Sequence, residues 1–150
     1  MAVGFIVAGC TSPPPDDRML QDIVVDATLE ALSPSALGTA AIVVDSACLD
    51  PAFPKMADLL SERFRARGDR VAQLTLGCDD RRLPGTWSGE ELERRNDSHV
   101  LLYVRVDGRS RRRTVKSGYT CGALCGAGVE VEVFWDGGAW KRDETKHVRY

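Results

Sequence analysis

From residue 99 onward the side chains alternate, and that pattern limits the fold more than any other feature of the chain. Val100, Leu102, Val104 and Val106 interleave with His99, Leu101, Tyr103 and Arg105. Further on, Val129, Val131, Val133 and Trp135 interleave with Glu130, Glu132 and Phe134. A period of two sends successive side chains to opposite faces, so each run predicts a strand with one apolar face that something must cover. Asp107-Gly108 and Asp136-Gly137-Gly138 are turn signals that return a strand beside itself. The basic run Arg109 to Lys116 is expected to lead into a strand ending at Tyr119. Thr120 to Ala127 is expected to be a tight glycine-rich loop, and Ala139 to Tyr150 a last strand. Together these form an antiparallel meander.

The first half has a different period. Leu20, Ile23, Val24, Ala27 and Ala31 follow the three-and-four spacing of one helix face and predict a helix over 17–32. Asp16 and Asp17 suit its positive end, and Ser33-Pro34 stops it. The apolar, partly β-branched run 39–45 predicts a buried strand. Met56, Ala57, Leu60 and Phe64 predict a second helix over 54–67, closed by Gly68, and 70–76 reads as another strand. Strand, helix, strand is the order of a right-handed βαβ crossover with parallel neighbours. Cys48 and Cys78 each follow their strand by a few residues, so they emerge at one edge, near enough for a disulfide if the side chains converge. Residues 77–87 read as an irregular loop, and Ser88-Gly89-Glu90-Glu91 as a capping box opening a short helix to about Asn96. The expected class is α+β: a βαβ-containing first part, then the meander, with the helices on one face of the sheet.

With 150 residues, one domain is the natural size. No apolar run approaches the roughly 20 residues of a membrane-spanning helix. A net charge of −2 gives no global attraction to nucleic acid, and the basic run lacks the interleaved aromatics of a single-strand site. No nucleic-acid partner is expected.

The N-terminal stretch Ile6-Val7-Ala8-Gly9-Cys10, followed by Thr11-Ser12-Pro13-Pro14-Pro15, resembles the lipobox of bacterial lipoproteins. The resemblance implies that residues 1–9 are the remnant of a signal peptide, the true start lying upstream of Met1, and that Cys10 is acylated. It also implies that 10–16 is a proline-rich tether, that 17–150 is one domain, and that the protein sits on the outer face of a cell-envelope membrane. Thr11 in the position after the cysteine implies the outer membrane of a diderm bacterium. If Cys10 carries lipid, the remaining four of the five cysteines, Cys48, Cys78, Cys121 and Cys125, form an even set suited to two disulfides in an oxidising compartment. In a cytosolic chain they would be thiols or, with only one close pair, a poor zinc site.

Residues 119–141, with Cys121-Gly122-Ala123-Leu124-Cys125-Gly126-Ala127-Gly128, then a strand, an Asp-Gly turn and Trp140, resemble a C-G-x-L-C-G-x-G pattern of uncharacterised bacterial secreted and lipid-anchored proteins. The pattern brings no known activity. A Cys121–Cys125 bond would lock the loop. The rival reading is a redox-active pair, but C-x-x-x-C lacks the thioredoxin spacing and no helix start is there to acidify a thiol.

Other constellations read as structure. His99 and His147 have no visible ligand or triad partners, and the glycine-rich segment precedes a strand rather than a helix, unlike a phosphate loop. Arg109, Arg111, Arg112, Arg113 and Lys116 are candidate anion-binding residues, for an envelope polymer or lipid headgroup. In a hairpin they also pair with Glu130 and Glu132 across the ladder. No catalytic residue, metal or cofactor is expected. The combined expectation is a non-catalytic binding or accessory module, held at the membrane by its lipid and serving an envelope protein or anionic polymer. The competing class is an enzyme, either a thiol–disulfide oxidoreductase using Cys121 and Cys125 or a hydrolase whose residues meet only in three dimensions.

Overall fold

The computed structural model describes residues 13–37, 40–74, 78, 99–122 and 125–149, the side chains of 36, 37, 121, 122 and 125 excepted. The lipobox, the 77–87 loop apart from Cys78, and the 88–96 helix lie outside these residues. Six strands make one mixed sheet: β1 (Ala41–Asp45), β2 (Val71–Leu74), β3 (His99–Asp107), β4 (Arg112–Gly122), β5 (Cys125–Trp135) and β6 (Trp140–Arg149). Their spatial order is β2-β1-β3-β4-β5-β6. β1 is parallel to both neighbours, and every pairing from β3 onward is antiparallel. The fold is α+β, with helices α1 (Gln21–Ala31) and α3 (Met56–Ala66) in one core with the sheet.

α1 is preceded by a 3-10 turn, Asp17–Leu20, which the sequence reading merged with it. Asp16 starts that turn, its carboxylate accepting from the Arg18 amide at 2.9 Å. The buried face holds Leu20, Val24 and Ala27 as expected, and also Val25 and Thr28. Thr28 is tolerated because its hydroxyl donates to the Val24 carbonyl at 2.7 Å and lies 2.6 Å from the Ser117 hydroxyl on β4. Two hydroxyls thus satisfy each other inside the core. After Ser33 the chain makes one more helical turn, α2 (Pro34–Leu37), which proline permits as a first helical residue.

α3 buries Met56, Ala57, Leu60, Ser61 and Phe64 against β1 and β2. It ends in a Schellman closure: Gly68, at φ +93°, donates to Arg65 and Asp69 donates to Phe64. Arg67 turns back from this end. Its guanidinium donates to the Leu29 and Leu32 carbonyls at 3.2 and 2.5 Å, pairs with Asp69 at 2.6 Å and lies over the Phe64 ring. Carbonyls orphaned at the end of α1 are therefore satisfied by a side chain from α3.

The glycine-rich loop expected over 120–127 is instead, at its described residues, a continuation of the ladder. β4 runs on past Tyr119 to Gly122, β5 begins at Cys125, and Gly122 pairs with Cys125. The glycines that flank this stretch have a use of their own, set one strand away. Tyr103 of β3 crosses the paired Gly118 and Gly128, so a Cβ on Gly128 would come 2.5 Å from its hydroxyl. Glycine serves here as a flat rung under an aromatic ring, not as a turn.

Candidate functional site

One end of the sheet gathers the β3–β4 turn, the β5–β6 turn and the N-terminal segment. Pro13 and Pro14 each precede a proline, which fixes φ and pushes the backbone toward the polyproline II form, with three residues per turn and no internal hydrogen bonds. Carbonyls three residues apart then face the same way. Trp135 and Trp140, paired across the β5–β6 ladder in an edge-to-face contact at 5.5 Å, supply matching donors. The Trp135 indole donates to the Pro13 carbonyl at 3.0 Å and the Trp140 indole to the Asp16 carbonyl at 2.9 Å. Both rings are buried, and both ring N–H groups are satisfied by this segment. Residues 13–16 thus form a docked strap where the composition alone implies only a polar spacer.

The turn geometry follows from local chemistry. Asp136 accepts from the Gly138 and Ala139 amides at 3.0 and 2.9 Å, and these bonds hold its carboxyl below the ordinary carboxylate value. Gly137 takes φ +101°. Across the gap, the Trp135 amide donates to the Arg111 carbonyl at 2.8 Å and ties the two turns together. An open hollow of about 560 Å³ remains beside the strap, lined by the strap residues Pro13 to Asp16 together with Asp17, Met19, Trp135 and Gly138.

The basic run divides by strand parity. Arg109 and Arg111 are exposed in the β3–β4 turn. Arg113 points to the helix side, where it pairs with Asp17 at 3.1 Å and stacks over Trp140 at 5.6 Å. Arg112 and Lys116 share the opposite face. Arg112 lies 3.6 Å from Asp143, and Lys116 3.0 Å from Asp107, whose hydrogen bond raises the lysine's pKa. Lys116 also stands opposite Glu130 in the ladder. Arg18 pairs with Asp16, which that contact holds below its usual pKa, and Lys141 reaches Asp136 at 3.8 Å.

The cysteines divide between the sheet's two ends. The β1–β2 register places Asp45 beside Leu74, so Cys48 and Cys78 follow neighbouring strands at a common edge. Cys48 is buried and Cys78 exposed. Cys121 and Cys125 lie on adjoining strands of a tight hairpin, and their side chains, like Cys10, are outside the described residues. His99 is buried in β3 and His147 exposed on β6. Among the described residues, no cluster of His, Cys, Asp or Glu is arranged to hold a metal ion, and no helix is long and apolar enough to cross a membrane.

What the rim presents is a set of contacts: backbone carbonyls gripped by indoles, guanidinium groups and one thioether. Sequence reasoning missed the two tryptophans as strap receptors; the available signal was a Trp pair flanking an Asp-Gly-Gly turn with a proline run elsewhere in the chain. No protein-family model, curated protein or solved structure matches this chain.

Proposed function

We propose that the chain is a bacterial cell-envelope lipoprotein, acylated on Cys10, whose domain is a non-catalytic binding or accessory module for an envelope protein or anionic polymer. The observation that carries it is Ile6-Val7-Ala8-Gly9-Cys10 running directly into prolines. Apolar residues suit the bilayer, and the small pair Ala8-Gly9 suits a membrane peptidase. The cysteine count fits the same address: with Cys10 acylated, Cys48, Cys78, Cys121 and Cys125 are an even set, as two disulfides in an oxidising compartment would use. Arg109 and Arg111 stand exposed in the β3–β4 turn, where an anion can reach them, and Arg112, Arg113 and Lys116 lie beside carboxylates.

The test is metabolic labelling with palmitate, alongside a Cys10→Ala control, and intact mass of the mature protein. Label on the parent chain and none on the variant is the expected result. A mature chain that retains residues 1–9 and carries no acyl group would refute the anchor. Non-reducing mass measurement adds the pairing: four alkylatable thiols in the exported domain would remove the disulfides.

A further inference from the structure

We propose that the strap end of the domain is a membrane-contact surface, built to lie on anionic phospholipid headgroups. The inference rests on the lipid-anchor reading and adds to it an orientation and a lipid preference. Three observations converge on this end.

The first is where the chain outside the described residues begins. Only Thr11 and Ser12 separate Cys10 from Pro13, and Pro13 is held by the Trp135 indole at 3.0 Å. An extended residue spans at most about 3.5 Å, so three residues let an acylated Cys10 be no farther than about 10 Å from the Trp135 contact. The tether cannot act as a long, free leash while the strap is docked. The rim made by the β3–β4 and β5–β6 turns must then face the bilayer.

The second is apolar exposure. Met19, 47% exposed, is the one large hydrophobic side chain exposed among the described residues, and it borders the hollow beside the strap. An unbranched thioether at the rim suits shallow insertion between headgroups.

The third is charge. Arg18, Arg112, Arg113 and Lys141 each meet a carboxylate, and the turn carries Arg109 and Arg111 in addition, both exposed. Cations beside an apolar residue are the two ingredients of interfacial binding to an anionic leaflet. The far end of β6, at Arg149, is separated from this rim by the length of the strand.

The experiment uses the full chain with a hexahistidine tag before Met1, held on vesicles by nickel-chelating lipid so that native acylation is not needed. Peroxide oxidation is followed by peptide mass spectrometry at Met19, with buried Met56 as the internal folding control. On vesicles containing phosphatidylglycerol, Met19 oxidation is expected to fall to about one fifth of its rate in solution, and on phosphatidylcholine alone to fall much less. Arg109→Glu with Arg111→Glu is expected to return the rate toward the solution value. If that variant also exposes Met56, high salt on the parent chain tests the same electrostatics without mutation. Equal Met19 rates in solution and on phosphatidylglycerol vesicles would overturn the surface. Loss of palmitate labelling would instead remove the anchor and leave this result standing, so the two failures are distinguishable.

Discussion

The two halves of the sheet are built on different terms. In the parallel half, β1 is buried at all five positions, with α3 on one face and a second small cluster of Val43, Cys48 and Leu101 on the other. In the antiparallel half the face toward α1 is buried, while burial on the other stops at the start of β3, with His99 and Leu101. The other carries Tyr103, Arg105, Lys116, Glu130 and Glu132, and β6 is exposed along nearly its whole length. Parallel strands need cover on both sides, whereas a meander can leave one face to water. Stability in the first half therefore rests on packing volume, and in the second on register and turn chemistry.

The sharpest way to break this contrast is a pair of identical truncations. Phe64→Ala removes a fully buried ring from the α3 face over the parallel strands and should cost about 3–5 kcal/mol in denaturant unfolding. Phe134→Ala removes a partly exposed ring from the open face of β5 and should cost about 1 kcal/mol or less. Equal losses would mean the open face is not open in solution.

Arg67 joins the two helices that cover the two halves. Replacing it with Met keeps the stem over Phe64 but leaves the Leu29 and Leu32 carbonyls and Asp69 without their donor, an expected loss of about 2 kcal/mol. Lysine should recover only part, since a single ammonium cannot reproduce the guanidinium fork. Full recovery by lysine would reduce the joint to a simple charge.

In the meander the sensitive positions are rungs, not rings. Gly118→Ala would drive a Cβ into the Ala127 carbonyl oxygen, to 2.6 Å from the Gly128 Cα and 2.7 Å from the Tyr103 hydroxyl. Overpacking of this kind costs about 1–3 kcal/mol. Repeating it in a Tyr103→Ala background separates the causes. A loss that persists assigns the glycine to close backbone pairing, and one that vanishes assigns it to the tyrosine.

Those same residues show what the linear pattern carries and what it does not. Alternation over 99–106 and 129–135 was readable because water on one face writes polarity into every second position. The apolar run 39–45 and the Met56-Ala57-Leu60-Phe64 face were readable for the opposite reason, since burial admits little else. Gly122, Gly126 and Gly128 misled because the same residue that permits a turn also fits a flat ladder, at Gly128 under the Tyr103 side chain. Trp135 and Trp140 could not be assigned to the strap because their acceptors lie 122 and 124 residues away. Nothing local singled out Arg67 at the end of its helix for the same reason: its value lies in carbonyls 35 and 38 residues back. Local periodicity reports which side faces solvent, while a polar contact between distant segments leaves no period behind it.

The smallest expected effect is a pH dependence confined to the rim of the meander. Asp136 has its carboxyl below the ordinary value of 3.8 because the Ala139 and Gly138 amides donate to its ionised form. A depressed carboxyl contributes its stabilisation fully above that ordinary value and loses it as pH falls through the lower folded value. Acid should therefore loosen the β5–β6 turn, and hydrogen exchange at Gly138 and Ala139 should rise relative to amides of β1 as the solution is acidified. Asp16, depressed chiefly by its side-chain bond to Arg18, should likewise loosen the Asp17–Leu20 turn that it caps as pH falls through its lowered value. Asp136→Asn keeps an oxygen that accepts from both amides but cannot titrate, so the turn should hold at neutral pH and its acid response disappear. If the asparagine variant retains the full acid response, the turn is governed by the neighbouring strap and not by its own carboxylate.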